Sequence, residues 1–194
     1  MKSMGSESSS NSGCSQTRII MLEMQLIQDG IYSCHLPAES RYIEEVIKGF
    51  SRLENAADTK KTHFFDGRYE NIYPSREAFP EIEPLLEVIF HCAQQILEKE
   101  QPLDLSFWFN QMRPGHSTTR HTHDDGYELI SGVYYLDVPE GSGDILMHVP
   151  EQVLSISPQA GVMLMFPPDL AHEVEQNRST QSRLSMAFNI GPQR

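Results

Sequence analysis

After Pro102 the hydrophobic period of this chain switches from three-and-four to two, and it does not switch back. Extended segments are expected at about 104–113, 128–138, 143–149, 152–157, 162–166, 171–176 and 182–190. Between them stand Pro114–Gly115, Pro139–Glu140–Gly141, Pro150 and Pro167–Pro168, residues that build turns. Strands this short and closely spaced pack as a sandwich or barrel.

The preceding residues supply the brace. In 38–56 the apolar positions Tyr42, Val46, Ile47 and Phe50 recur at helical spacing. In 81–99 the set Ile82, Leu85, Leu86, Ile89, Phe90, Ala93, Ile96 and Leu97 traces one helix face after Pro80. Two further short strands are expected at 19–27 and 31–36 around the turn Gln28–Asp29–Gly30. The stretch 63–75 is an aromatic-rich loop or irregular strand pair that could cover the barrel mouth. The expected fold is mainly β with flanking helices, a double-stranded β-helix (jelly roll) with its helices on one outer face. Residues 1–17, rich in Ser and Gly, read as a flexible tail before a single domain over 18–194.

Charge and cysteine content narrow the class. With 27 acidic against 15 basic side chains the net charge is −12, the wrong sign for a nucleic-acid or anionic-membrane surface. Cys14, Cys34 and Cys92 are an odd number without paired spacing, so neither a disulfide framework nor a zinc cluster follows. No signal peptide or membrane span is visible, and a cytoplasmic protein is expected.

The chemistry concentrates in 115–125 (GHSTTRHTHDD) and around His172. On an extended segment residues i and i+2 share a face, so His123 and Asp125 can converge on one ion while Asp124 points away. His172, which follows Pro167–Pro168–Asp169–Leu170–Ala171, supplies a third ligand. Two imidazoles and one carboxylate on one face of an octahedron suit a non-haem Fe(II) oxygenase. Arg183, eleven residues on, offers a planar fork for the far carboxylate of a dicarboxylate co-substrate, and Ser185 at i+2 adds a hydroxyl. The bland alternatives are a surface turn at Asp124–Asp125–Gly126, a core histidine at 172 and an edge-strand arginine at 183.

These residues resemble the Fe(II)/2-oxoglutarate-dependent oxygenases, in the prolyl-hydroxylase-like branch, over roughly residues 105–190. The resemblance rests on Arg113–Pro114–Gly115, on H-x-D at 123–125, on SGVYYL (131–136) and SGDIL (142–146). It continues through FPPDLAHEV (166–174) and RLSMAFN (183–189). It implies an enzyme, a hydroxylase that converts 2-oxoglutarate to succinate and CO2 using Fe(II) and O2, with ascorbate as an accessory reductant. It also implies that Tyr135 meets the 2-oxoglutarate carboxylate beside Arg183, and that Leu146 packs against the co-substrate. A carboxylate at 125 favours hydroxylation over halogenation. Arg113 departs from the pattern, because Tyr is common before that Pro–Gly turn. The substrate, small molecule or protein, is not specified, and neither is the oligomeric state.

A rival register uses overlapping residues. Gly115, His121, His123 and Glu128 match much of the first cupin motif, with His172 as the later ligand, in a metal-binding module without 2-oxoglutarate chemistry. Position 135 is Tyr where that motif has Gly, a Pro-x-Gly turn before His172 is missing, and Arg183 and Ser185 are left without a task. In the oxygenase register His121 is a neighbour of the metal rather than a ligand. Trp108 and Phe107 are expected in the core, Asn110 and Gln111 near the metal strand, and His148 without a role.

Overall fold

The computed structural model describes residues 23–36, 41–65, 67–98, 102–124 and 126–193. The expected tail at 1–17 and Asp125 lie outside these residues. The described strands are β1 (Met24–Gln28), β2 (Ile31–His35), β3 (Lys60–Phe65), β4 (Arg68–Tyr73), β5 (Leu103–Met112) and β6 (Thr118–His121). They continue with β7 (Ile130–Asp137), β8 (Ile145–Val149), β9 (Gln152–Ile156), β10 (Val162–Phe166), β11 (His172–Val174) and β12 (Arg183–Pro192). Two helices, α1 (Arg41–Leu53) and α2 (Glu83–Leu97), stand between β2 and β5, with a 3₁₀ turn at Pro80–Ile82 leading into α2.

Two antiparallel sheets face each other in the expected jelly roll. The larger has the order β1-β2-β10-β7-β12-β5-β4-β3 and the smaller β6-β11-β8-β9. β12 lies at the centre of the large sheet, paired with β5 along its whole length and with β7 on its other side. Its alternation builds the molecule. Leu184, Met186, Phe188 and Ile190 are buried against the helices, whereas Arg183, Ser185, Ala187 and Asn189 face a cavity between the sheets.

The helices close the outer face of the large sheet. Ile43, Val46, Phe50 and Leu53 of α1 and Leu85, Leu86, Ile89, Cys92 and Ala93 of α2 join one core with Phe107, Phe109, Tyr134 and Met186. Phe109 stacks against Phe50 at 4.7 Å and Phe79 at 5.7 Å between ring centroids. Gly132 of β7 shows how tightly the layers meet. A Cβ there would lie 2.7 Å from the Leu164 carbonyl oxygen and collide with the Phe188 ring. Gly132→Ala is therefore expected to lower stability by about 1–3 kcal/mol, read from urea melts; a wild-type midpoint would show that β7 and β12 can separate there.

The strand at Thr118–His121 has no turn-bounded apolar run to announce it, and the sequence assigned none. The stretch 63–75 is a strand pair, β3–β4, which extends the large sheet beyond β5. The pair keeps one register on both sides of His63, from Thr62 opposite Asn71 to Phe64 opposite Tyr69, although His63 itself sits at φ +56°.

Candidate metal centre and anion clamp

Three histidines converge between the sheets. His172, buried at the start of β11, lies directly opposite His121 of β6 across the small sheet. His123 is held close by its own backbone, whose N–H donates to the Pro168 carbonyl at 2.8 Å. The ligand atoms of His121, His123 and His172 all lie within 4.8 Å of one another. Trp108 stacks on His123 at 5.5 Å and the Phe166 ring meets His172 edge-on at 4.9 Å. Trp108 is buried as expected but on the cavity side of the sheet, whereas Phe107 joins the core under the helices.

The hydrogen bonds behind the rings set their tautomers. Nδ1 of His121 donates to the Thr119 carbonyl at 2.8 Å, Nδ1 of His172 to the Leu170 carbonyl at 2.9 Å, and Nδ1 of His123 to Oδ1 of Asn189 at 2.8 Å. An imidazole that donates through Nδ1 presents a lone pair at Nε2. The Nε2 atoms of His121 and His123 face each other at 3.1 Å, so with both rings neutral two lone pairs are opposed, an arrangement that a proton or a metal ion between them relieves. The donor set fits a divalent metal.

Burial pushes the His172 imidazole down to about 3, with His121 and His123 contributing in the same direction and the Leu170 carbonyl opposing. The unfolded chain, with an ordinary histidine near 6.5, takes up a proton in this range that the folded chain refuses. Stability from this group is present above pH 6.5 and is lost as pH falls toward 3, at up to about 1.4 kcal/mol per pH unit. Urea melts of metal-free protein at pH 7 and pH 5 are expected to show this slope, reduced in His172→Gln; an equal slope in the variant would assign it elsewhere.

The other expected groups occupy the same cavity, which measures about 530 Å³. Arg183 is 2% exposed, and its charge has no carboxylate partner among the described residues. Nη1 donates to the carbonyls of Gly143 at 3.0 Å and Ser142 at 3.4 Å, and Nη2 lies 2.6 Å from the Met112 sulfur. Nε is buried with no hydrogen-bond partner among the described residues. Burial lowers its proton affinity from the usual arginine range. Leaving a cation this dry without a counter-ion is costly, and the arrangement fits an incoming carboxylate. Ser185 is buried on the same face of β12, directly opposite Tyr135 of β7. The Tyr135 ring lies 5.7 Å from the guanidinium carbon, and burial pushes its phenol up to about 12.

Leu146 is the exception. Ile145 lines the cavity and Leu146 does not, because β8 presents Ile145 and Met147 inward and turns Leu146 toward Ser155 and Glu173. Asn110 lines the cavity and bonds to the Glu70 carbonyl and Asn71, whereas Gln111 turns away. His148, given no role from sequence, pairs with Glu173 at 2.9 Å. Asn189 was missed altogether; its only sequence signal was alternation, which puts it on the inward face with Arg183 and Ser185.

Comparison with known proteins points the same way. Residues 106–155 and 148–189 match the sequence-family model described as "Putative 2OG-Fe(II) oxygenase". No curated protein matches the chain. A prolyl-4-hydroxylase from Pseudomonas putida superposes with a TM-score of 0.61 at 19% identity, covering 85% of this chain and 89% of its own. A prolyl hydroxylase from Trichoplax adhaerens, solved with a hypoxia inducible factor peptide fragment, gives 0.63 at 13% identity over 85% and 84%. The non-heme alpha ketoglutarate dependent epimerase SnoN from nogalamycin biosynthesis gives 0.68 at 14% identity over 84% and 78%. At these identities the superpositions establish the fold. Fold, family match and histidine cluster together describe a 2-oxoglutarate-dependent Fe(II) dioxygenase, with Fe(II), 2-oxoglutarate and O2 as its cofactor set.

Proposed function

We propose that this protein is a hydroxylase of that class, in which His121, His123 and His172 hold Fe(II) and Arg183, Ser185 and Tyr135 receive the far carboxylate of 2-oxoglutarate. The observation that carries the reading is the pairing of two needs in one cavity: imidazole lone pairs that want a cation, and a buried guanidinium that wants an anion. When bound, the iron and 2-oxoglutarate supply O2 activation coupled to decarboxylation to succinate and CO2, and the oxygen atom passes to a substrate C–H bond.

The protein's part is placement and exclusion of water. Nδ1 hydrogen bonds fix each imidazole so that Nε2 is the coordinating atom. The carbonyls of Ser142 and Gly143 hold the guanidinium in place, and Ser185 offers a hydroxyl beside it. Ile145, Val174, Phe166 and Trp108 supply the apolar part of the lining, which strengthens the charged contacts beside it.

The ligand set differs from the one built on His123, Asp125 and His172. His121 takes a place in the cluster because β6 pairs directly with β11, so His121 and His172 are cross-strand neighbours. These are the three histidines of the cupin register, now beside an oxygenase-type anion clamp. Glu128 lines the cavity but is not part of the histidine group, and the buried Arg183 has a task only if an anion binds. The substrate is a small molecule or a protein side chain, and Glu70, Asn71 and Thr119 add polar groups to the cavity that would receive it. A net charge of −12 argues against nucleic acid. No described helix is long and apolar enough to cross a membrane, and the thiols of Cys34 and Cys92 support a reducing, cytoplasmic setting.

Anaerobic addition of Fe(II) and 2-oxoglutarate is the test. A visible iron–keto-acid absorption band is expected, followed by succinate release on admitting O2. Metal binding without that band, and with no gain in thermal stability from 2-oxoglutarate, would return the protein to the cupin-like reading.

A further inference from the structure

The three histidines are not oriented in the same way. His121 and His172 donate Nδ1–H to main-chain carbonyls, those of Thr119 and Leu170, which no substitution removes. His123 alone donates to a side chain, Oδ1 of Asn189, 66 residues away on β12. The same oxygen accepts a hydrogen bond at 2.9 Å from Oγ of Ser131, a fully buried residue of β7. Ser131 and Asn189 are themselves cross-strand partners.

We propose that Asn189 is a positioning residue that selects Nε2 of His123 as a metal ligand and, being uncharged, holds the iron ferrous; this rests on the oxygenase reading above. Two donors converging on one amide oxygen fix the amide's orientation, and the oxygen in turn keeps the His123 proton on Nδ1. The reversed amide would place an N–H on Nδ1, leave the proton on Nε2 and close that nitrogen to the metal. All three Nδ1 acceptors are neutral: two carbonyls and one amide. A carboxylate in the same place draws the imidazole proton toward itself and makes the ring a stronger donor to the metal. That favours the more highly charged ferric ion, so the amide is the choice that leaves iron in the ferrous state the chemistry needs.

Three measurements test this. In metal-free protein, long-range ¹H–¹⁵N spectra of the His123 ring are expected to place its proton on Nδ1. Anaerobic Fe(II) titration is expected to give Asn189→Leu an affinity 10- to 100-fold weaker, in the range seen when groups behind a ligand are removed. Asn189→Asp is expected to recover wild-type affinity or exceed it, with a lower Fe(III)/Fe(II) potential. A proton on Nε2, unchanged affinity in the leucine variant, or an aspartate variant with the wild-type potential would each overturn the proposal. If the wild type takes up no Fe(II), the oxygenase reading itself fails, and the ring spectra still decide the role of Asn189. Metal-free melting curves of each variant separate loss of metal from loss of fold.

Discussion

Arg183→Leu is expected to abolish 2-oxoglutarate binding while leaving the metal-free protein as stable as wild type or more so. A guanidinium gripping a carboxylate makes two charge-assisted hydrogen bonds worth about 1.5–3 kcal/mol each. Their loss weakens binding by roughly 10²- to 10⁴-fold. Stability moves the other way, since the guanidinium is buried with two carbonyls and a thioether for company and no carboxylate among the described residues. Exchanging such a charge for an apolar side chain of similar volume is often neutral or stabilising. Calorimetric titration and thermal melts with and without 2-oxoglutarate read both effects. Arg183→Lys is expected to restore only part of the affinity, because an ammonium cannot make the planar two-point contact. A leucine variant that binds 2-oxoglutarate normally would remove Arg183 from the site.

The second large effect separates the two ligand sets. His121→Ala is expected to weaken Fe(II) binding by more than ~100-fold, beyond the cost of removing a group behind a ligand, and to stop succinate release. Asp125→Ala, measured beside it, is expected to retain metal binding. The reverse pattern would restore the set His123, Asp125 and His172 and make His121 a neighbour. Melting curves of both variants without metal guard against misfolding, although His121 is exposed and its loss leaves no cavity in the core.

Much of this architecture is legible in the chain. The period-two segments after residue 102 mark β5 and β7 to β12 to within a few residues, because half-buried strands must alternate and their turns need Gly and Pro. Alternation also separates Arg183 and Ser185 from Leu184 and Met186 and sets Tyr134 and Tyr135 on opposite faces, while the family resemblance picks Tyr135 as the inner one. Other features are less legible because they are set between distant segments. β6 owes its existence to pairing with β11 rather than to an apolar pattern of its own, so the cross-strand meeting of His121 and His172 has no local signature. A spacing of i and i+2 fits His121 with His123 as well as His123 with Asp125; the partner strand brings His121 to His172, and Asp125 lies outside the described residues. Leu146 fails for the opposite reason: a one-residue change of register reverses every side chain, and the resemblance chose the wrong member of an alternating pair.

The loop before β8 carries a lesson about what evolution is free to alter. Because main-chain oxygens of Ser142 and Gly143 grip the guanidinium, the grip does not depend on which side chains that loop displays. The restriction falls instead on shape. Gly143 sits at φ +90°, and a Cβ there would run into the Glu175 carbonyl. A methyl group at 143 is therefore expected to displace the oxygen that steers the arginine, and to weaken keto-acid binding without touching a single side chain of the pocket.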